Sequence, residues 1–131
     1  MKIRFMIILM VLVPGIGLTS KPSRAEEVKA GQFLEMYDQQ LGPEARKEAE
    51  IIISYIEDGF GWANAELTSR KTPPLYCLPP KLALTGPQLI DILRRAIAEQ
   101  APLPNPLSDQ LLGLALLVSL ERVFPCPPGS N

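Results

Sequence analysis

From Val28 to Leu41 the apolar residues Ala30, Phe33, Leu34, Tyr37 and Leu41 recur at intervals of three and four, with Lys29, Gln32, Glu35, Asp38 and Gln39 on the other side. This spacing predicts a first amphipathic helix. Gly42-Pro43 ends it and opens a second, because proline is tolerated in a first helical turn, where its missing N–H would have had no partner. The second helix is predicted to reach about Ser69, with charged opening turns followed by a core-facing stripe of Ile52, Ile53, Tyr55, Ile56, Phe60, Ala63 and Leu67. Gly59 and Gly61 interrupt that stripe, each at a cost of about 1 kcal/mol relative to alanine. Gly59 and Ala63, four residues apart, predict a smooth strip for the close approach of another helix or loop. A local kink is the alternative.

Arg70 to Leu84 contains Pro73, Pro74, Pro79 and Pro80, too many for a helix or a central strand, so it is predicted to be a crossing loop. Thr85-Gly86-Pro87-Gln88 has the form of a capping box and predicts the start of a third helix, with Leu89, Ile90, Leu93, Ala96 and Ile97 inward and Asp91 beside Arg94 or Arg95 on the wet side. Pro102, Pro104 and Pro106 end it, and Asn105 or Ser108 is the expected cap of a fourth helix. In that helix Leu111, Leu112, Leu114, Leu116, Leu117, Val118 and Leu120 surround the axis. Such a helix is either the buried centre of the domain or has a face covered by another chain. The fold class predicted is all-α, a compact bundle of about four helices.

Ahead of these elements, Lys2 and Arg4 precede an uncharged apolar run from Phe5 to Leu18, broken at its end by Pro14, Gly15 and Gly17. This is the pattern of a secretory signal peptide, and at about 14 residues the run is shorter than the roughly 20 needed to span a bilayer. The expected processing leaves residues 1–25 as signal peptide and 26–131 as one helical domain, with no stable membrane insertion after cleavage. From Glu26 onward the chain keeps nine of its 13 lysines and arginines and all 14 acids, a net charge of −5. That balance disfavours nucleic acid and anionic lipid and favours basic partners.

Export also changes the reading of the two cysteines. In an oxidising compartment an even number of cysteines signals a bridge, so Cys77 and Cys126 are expected to form a disulfide, worth about 4 kcal/mol in the loop-entropy model. The chain has no histidine, which removes the commonest general base and metal ligand and with them Ser-His-Asp and Cys-His catalysis. Ser54, Ser69, Ser108 and Ser119 therefore lack a base. Glu57 and Asp58 are neighbours on a helix and point about 100° apart, unlike the facing carboxylates of a glycosidase. Asn64, Glu66 and Trp62 could line a groove, yet Trp62 is expected in the core. No catalytic residue, cofactor or metal site is predicted.

Several motifs keep a recognisable order: Tyr55, Gly59 and Ala63 on the second helix, then Tyr76-Cys77-Leu78-Pro79, the cap Thr85-Gly86-Pro87-Gln88-Leu89, and a leucine-rich helix ending Phe124-Pro125-Cys126. In this order and spacing the chain resembles the Rap/Tai family of small periplasmic proteins. Characterised members of that family are immunity proteins against peptidoglycan amidase effectors delivered by type VI secretion. The resemblance implies a periplasmic, disulfide-bonded helical domain, commonly a homodimer, that inhibits a secreted cell-wall hydrolase by occupying its active-site cleft, without catalysis of its own. Some relatives carry a further cysteine early in the second helix, where this chain has Ile51, Ile52, Ile53 and Ser54.

The candidate partner contacts are the stiff stretches Arg70 to Tyr76 and Pro102 to Ser108, in particular Arg70, Tyr76, Leu103, Asn105 and Ser108, with Glu57, Asp58 and Glu66 as steering charges. Stiff loops lose less entropy on docking. The competing expectation is a periplasmic structural module, or one resembling the small disulfide-bonded acid-stress chaperones in size and cysteine count, with no toxin partner.

Overall fold

Residues that repeat at helical spacing form helices in the computed structural model, which describes residues 27–129. The expected signal peptide and its cleavage before Glu26 lie outside the described residues. Four α-helices follow one another: α1 (Ala30–Glu35), α2 (Pro43–Ser69), α3 (Gly86–Gln100) and α4 (Leu112–Val123). A short 3₁₀ turn (Leu107–Asp109) precedes α4, and the described residues contain no strand, so the fold is all-α.

The first helix is shorter than its apolar spacing predicts. Beyond Glu35 the chain widens into a π-helical turn, Met36–Gln40, closed by the Leu41 amide donating to the Met36 carbonyl at 3.1 Å. Arg46, one turn into α2, supplies the physical reason for this ending. Its Nε donates to the Leu41 carbonyl and its Nη2 to the Asp38 carbonyl, and its guanidinium lies 5.5 Å from the centre of the Tyr37 ring. A cation on the last carbonyls of a helix both satisfies them and complements the helix dipole. The Tyr37 hydroxyl then donates to Glu50 at 2.6 Å, fixing α1 to α2 a second time. That hydrogen bond, followed by burial, raises the Tyr37 phenol pKa above its ordinary value.

At α3 the capping residues act as expected on the Gln88 side. The Thr85 backbone amide donates to Gln88 Oε1 at 2.9 Å and the Thr85 hydroxyl donates to the same oxygen at 3.1 Å. Leu89, Ile90, Leu93 and Ala96 are buried as their spacing predicts, joined by Ile92, and Ile97 packs at the edge. On the wet side Arg94 pairs with Asp91 at 2.6 Å and reaches across to Asp38 of the π turn at 2.8 Å.

The fourth helix begins later than the Asn105 or Ser108 cap implies, and its first residue is preceded by Leu111 with no side-chain cap. A distant segment does the work instead. The Leu112 amide donates to the Val28 carbonyl at 2.9 Å, and the Ala30 amide donates to the Gln110 carbonyl at 2.9 Å, so the starts of α1 and α4 satisfy each other. Ala115, Leu116 and Leu120 have no exposed surface and neither does Ser119, whose hydroxyl is satisfied by the Ala115 carbonyl at 2.6 Å. Leu111 and Leu114 stay exposed. At its far end α4 is tied to α3 by Arg122 and Glu99 and to the proline-rich crossover by the closed Cys77–Cys126 disulfide, with the Cys77 amide also donating to the Phe124 carbonyl at 2.9 Å.

Core burial is centred on Ile53, Leu89, Ile90, Leu93, Leu116 and Leu120. Each such side chain contributes about 1.5–3 kcal/mol, so the disulfide, at about 4 kcal/mol, weighs as much as two of them. A closed disulfide suits an oxidising, extracytoplasmic compartment. No helix among the described residues is long and apolar enough to cross a membrane.

Candidate functional site

Helix α2 is apolar on two faces, and only one of them belongs to the core. Ala49 and Ile53 are buried, with Ile56 and Phe60 packed against the core beside them. The other face points outward. Ile51 and Ile52 are about half exposed, Tyr55 is 69% exposed and Trp62 is 79% exposed. This corrects the expected stripe, since Ile52 and Tyr55 are not core-facing, and it removes Trp62 from the core.

The same geometry corrects the role given to the glycines. A β-carbon on Gly59 or Gly61 would meet nothing within 4 Å among the described residues, so no described helix or loop lies against Gly59, as the expected close-packing strip requires. Neither glycine breaks the helix, which runs unbroken from Pro43 to Ser69. Close approach occurs elsewhere. At Gly86 a β-carbon would stand 2.6 Å from both the Cβ and the carbonyl oxygen of Glu50, and at Gly31 it would stand 3.0 Å from Ser108. Only glycine lets α3 begin that close to α2.

The expected contact residues separate into two groups. Tyr76 is 2% exposed, and its hydroxyl donates to Glu57 at 2.7 Å. Burial, reinforced by that carboxylate, pushes the Tyr76 phenol pKa well above its ordinary value. The pair fastens the crossover to α2, so neither residue is free to meet a partner. Asn64, read as a groove residue, does related work. Its Nδ2 donates to the Tyr76 carbonyl at 3.1 Å and its Oδ1 accepts from the Leu75 amide at 2.6 Å. Ser108 is half-buried against Gly31 and acts as a spacer.

Among the surface residues, Glu66 and Arg70 form an exposed ion pair at 2.6 Å at the end of α2. Asp58 is exposed on the outer face, while Leu103 and Asn105 are exposed on the separate connection after α3. The sequence expects Asp58, Glu66 and Arg70 at the surface, where they lie, and does not single out Ile51, Tyr55 and Trp62 as surface residues. A signal existed: residues 51, 55 and 62 keep the same three-and-four spacing as the core stripe, on the opposite side of the helix.

Two hollows flank this outer face. A shallow recess of about 530 Å³ lies between α2 and the start of α3, lined by Lys47, Glu50, Ile51, Ser54, Tyr55, Gly86 and Pro87. On the other side a hollow of about 260 Å³ is lined by Val28, Phe33, Met36, Leu41, Ala45, Glu48, Ala49, Ile52 and Leu112. Its lining is nearly all apolar and includes the exposed Val28, and Leu111, next in the chain to the lining residue Leu112, is exposed as well. No group of three or more metal-ligating side chains gathers among the described residues. The arrangement offers an aromatic and aliphatic contact surface on a continuous, firmly braced helix.

No family model, curated protein or solved structure matches this chain.

Proposed function

We propose that this protein is an exported helical binding module that acts in the periplasm as an immunity protein, inhibiting a secreted peptidoglycan amidase by covering its active-site cleft. The observation that carries this reading is the outward strip of Ile51, Tyr55 and Trp62 on α2. Exposed aromatic residues grouped on a rigid element are the commonest anchors of protein interfaces. Their exposure on a braced helix means that little ordering entropy is lost on docking. The motif order of the Rap/Tai resemblance supplies the class of partner, and the net acidity supplies its sign of charge.

A homodimer is part of the same proposal. Val28 and Leu111, with the apolar hollow that Val28 lines, give the surface that a second copy would cover, while the Tyr55 and Trp62 side of α2 stays outward for the hydrolase. The protein binds its target rather than transforming it.

The test is affinity capture from periplasm with wild-type protein and with Trp62→Ala. A cell-wall hydrolase retained by the wild type and lost by the variant supports the reading. Equal retention by both, or no hydrolase at all, overturns it.

A further inference from the structure

The outer face of α2 is not a uniform apolar stripe. Tyr55 and Trp62 stand seven residues apart, about 10 Å along the helix axis, and Gly59 lies between them on the same face. The space above Gly59 is open among the described residues. Helical side chains lean toward the helix N-terminus, so Trp62 leans toward the gap that Gly59 leaves, while Tyr55, on the N-terminal side of the gap, marks its far edge and leans away from it. Asp58 stands beside this gap, exposed, three residues from Tyr55 and four from Trp62, with no salt-bridge partner among the described residues.

The wider helix carries six acids and two cations. One of the cations, Arg46, is turned onto the carbonyls of Leu41 and Asp38 and so does little to offset charge on the outer face. A tryptophan leaning over a notch, with a tyrosine at its edge and an exposed carboxylate at its side, is matched to a cation. The ring faces attract it through their quadrupoles and the carboxylate pairs with its charge.

We infer that the notch formed by Tyr55, Asp58, Gly59 and Trp62 receives a lysine or arginine side chain projecting from a basic protein partner. This rests on the reading of α2 as the docking face and names the chemistry that face selects. A second copy of this chain is the poorer occupant. Face-to-face pairing of two α2 strips would set Asp58, Glu66 and their acidic neighbours against the same residues, and like charges brought together at an interface disfavour it. A bulky side chain in place of Gly59 would fill the notch.

The experiment titrates the whole mature protein with a fluorescein-labelled octa-arginine peptide at low ionic strength, read by anisotropy, beside an uncharged octa-citrulline control. Gly59→Leu fills the notch and removes a helix-weakening residue, so it folds at least as well as the wild type. The expected result is octa-arginine binding weakened about twofold to fivefold by Gly59→Leu and by Trp62→Ala, the range for losing one exposed cation–aromatic contact, and weakened also by Asp58→Asn through loss of the paired charge. The exposed acid Glu121 on α4 is the comparison site, and Glu121→Gln leaves binding unchanged. Wild-type affinity in Gly59→Leu, or equal binding of octa-citrulline, overturns the inference. So does sedimentation in which Gly59→Leu dissociates a wild-type dimer, because the strip is then a contact between copies. If the peptide arm fails while Trp62→Ala still loses the captured hydrolase, the cation assignment is wrong and α2 remains the docking face.

Discussion

The backbone of Gly86 sits against Glu50 so closely that a β-carbon there would fall 2.6 Å from the Glu50 carbonyl oxygen. The contact places the N-terminus of α3 on the first third of α2, and the contacted atoms include backbone, which cannot swing aside. Gly86→Ala is therefore expected to destabilise the fold by about 1–3 kcal/mol, the usual cost of overpacking. Gly59→Ala, made in open space on an exposed helix, is expected to stabilise it by about 1 kcal/mol. Chemical denaturation of the two variants checks both signs.

The disulfide joins residues 49 positions apart, and the hydrogen bond from the Cys77 amide to the Phe124 carbonyl holds the same junction without it. Reduction, or the double variant Cys77→Ser and Cys126→Ser, is expected to lower stability by about 4 kcal/mol through the loop entropy of the unfolded chain. Helix content below the shifted transition stays close to that of the oxidised protein. Thermal melts followed by circular dichroism, with and without reductant, measure the difference.

Tyr76 and Glu57 give the fold a pH dependence on the alkaline side. The Tyr76 phenol is held above its ordinary pKa of about 10 by burial and by the Glu57 carboxylate, so the neutral phenol is favoured in the folded state. Its contribution is fully present below about pH 10 and falls away as pH rises beyond that, because the unfolded chain loses this proton first. Tyr76→Phe is expected to flatten that alkaline decline. It also costs about 1–3 kcal/mol at neutral pH by leaving a part-buried carboxylate without its donor. Denaturant midpoints measured from neutral to strongly alkaline pH separate the two effects.

Much of this architecture could be read from local signals. Gly42-Pro43, the Thr85 to Gln88 cap and the prolines between Arg70 and Leu84 act within a few residues of themselves, and each marks the boundary it implies. The features that could not be read depend on distant partners. The π turn at Met36–Gln40 is held by Arg46, and the start of α4 is held by Val28. Helix α2 was ambiguous for another reason. Its apolar residues satisfy helical spacing on two faces, and periodicity alone does not say which face meets the core. The same ambiguity moved the close-packed glycine from Gly59 to Gly86, since a glycine in a helix is equally consistent with contact on either side.

The most direct measurement asks whether this protein inhibits a secreted cell-wall hydrolase captured with it from periplasm, following release of new amino groups from purified peptidoglycan. Near one equivalent of wild-type protein is expected to suppress amide cleavage, whereas Trp62→Ala, with stability within about 0.5 kcal/mol of wild type, restores it. Undiminished cleavage with the wild type present, or equal suppression by Trp62→Ala, would contradict a docking role for α2.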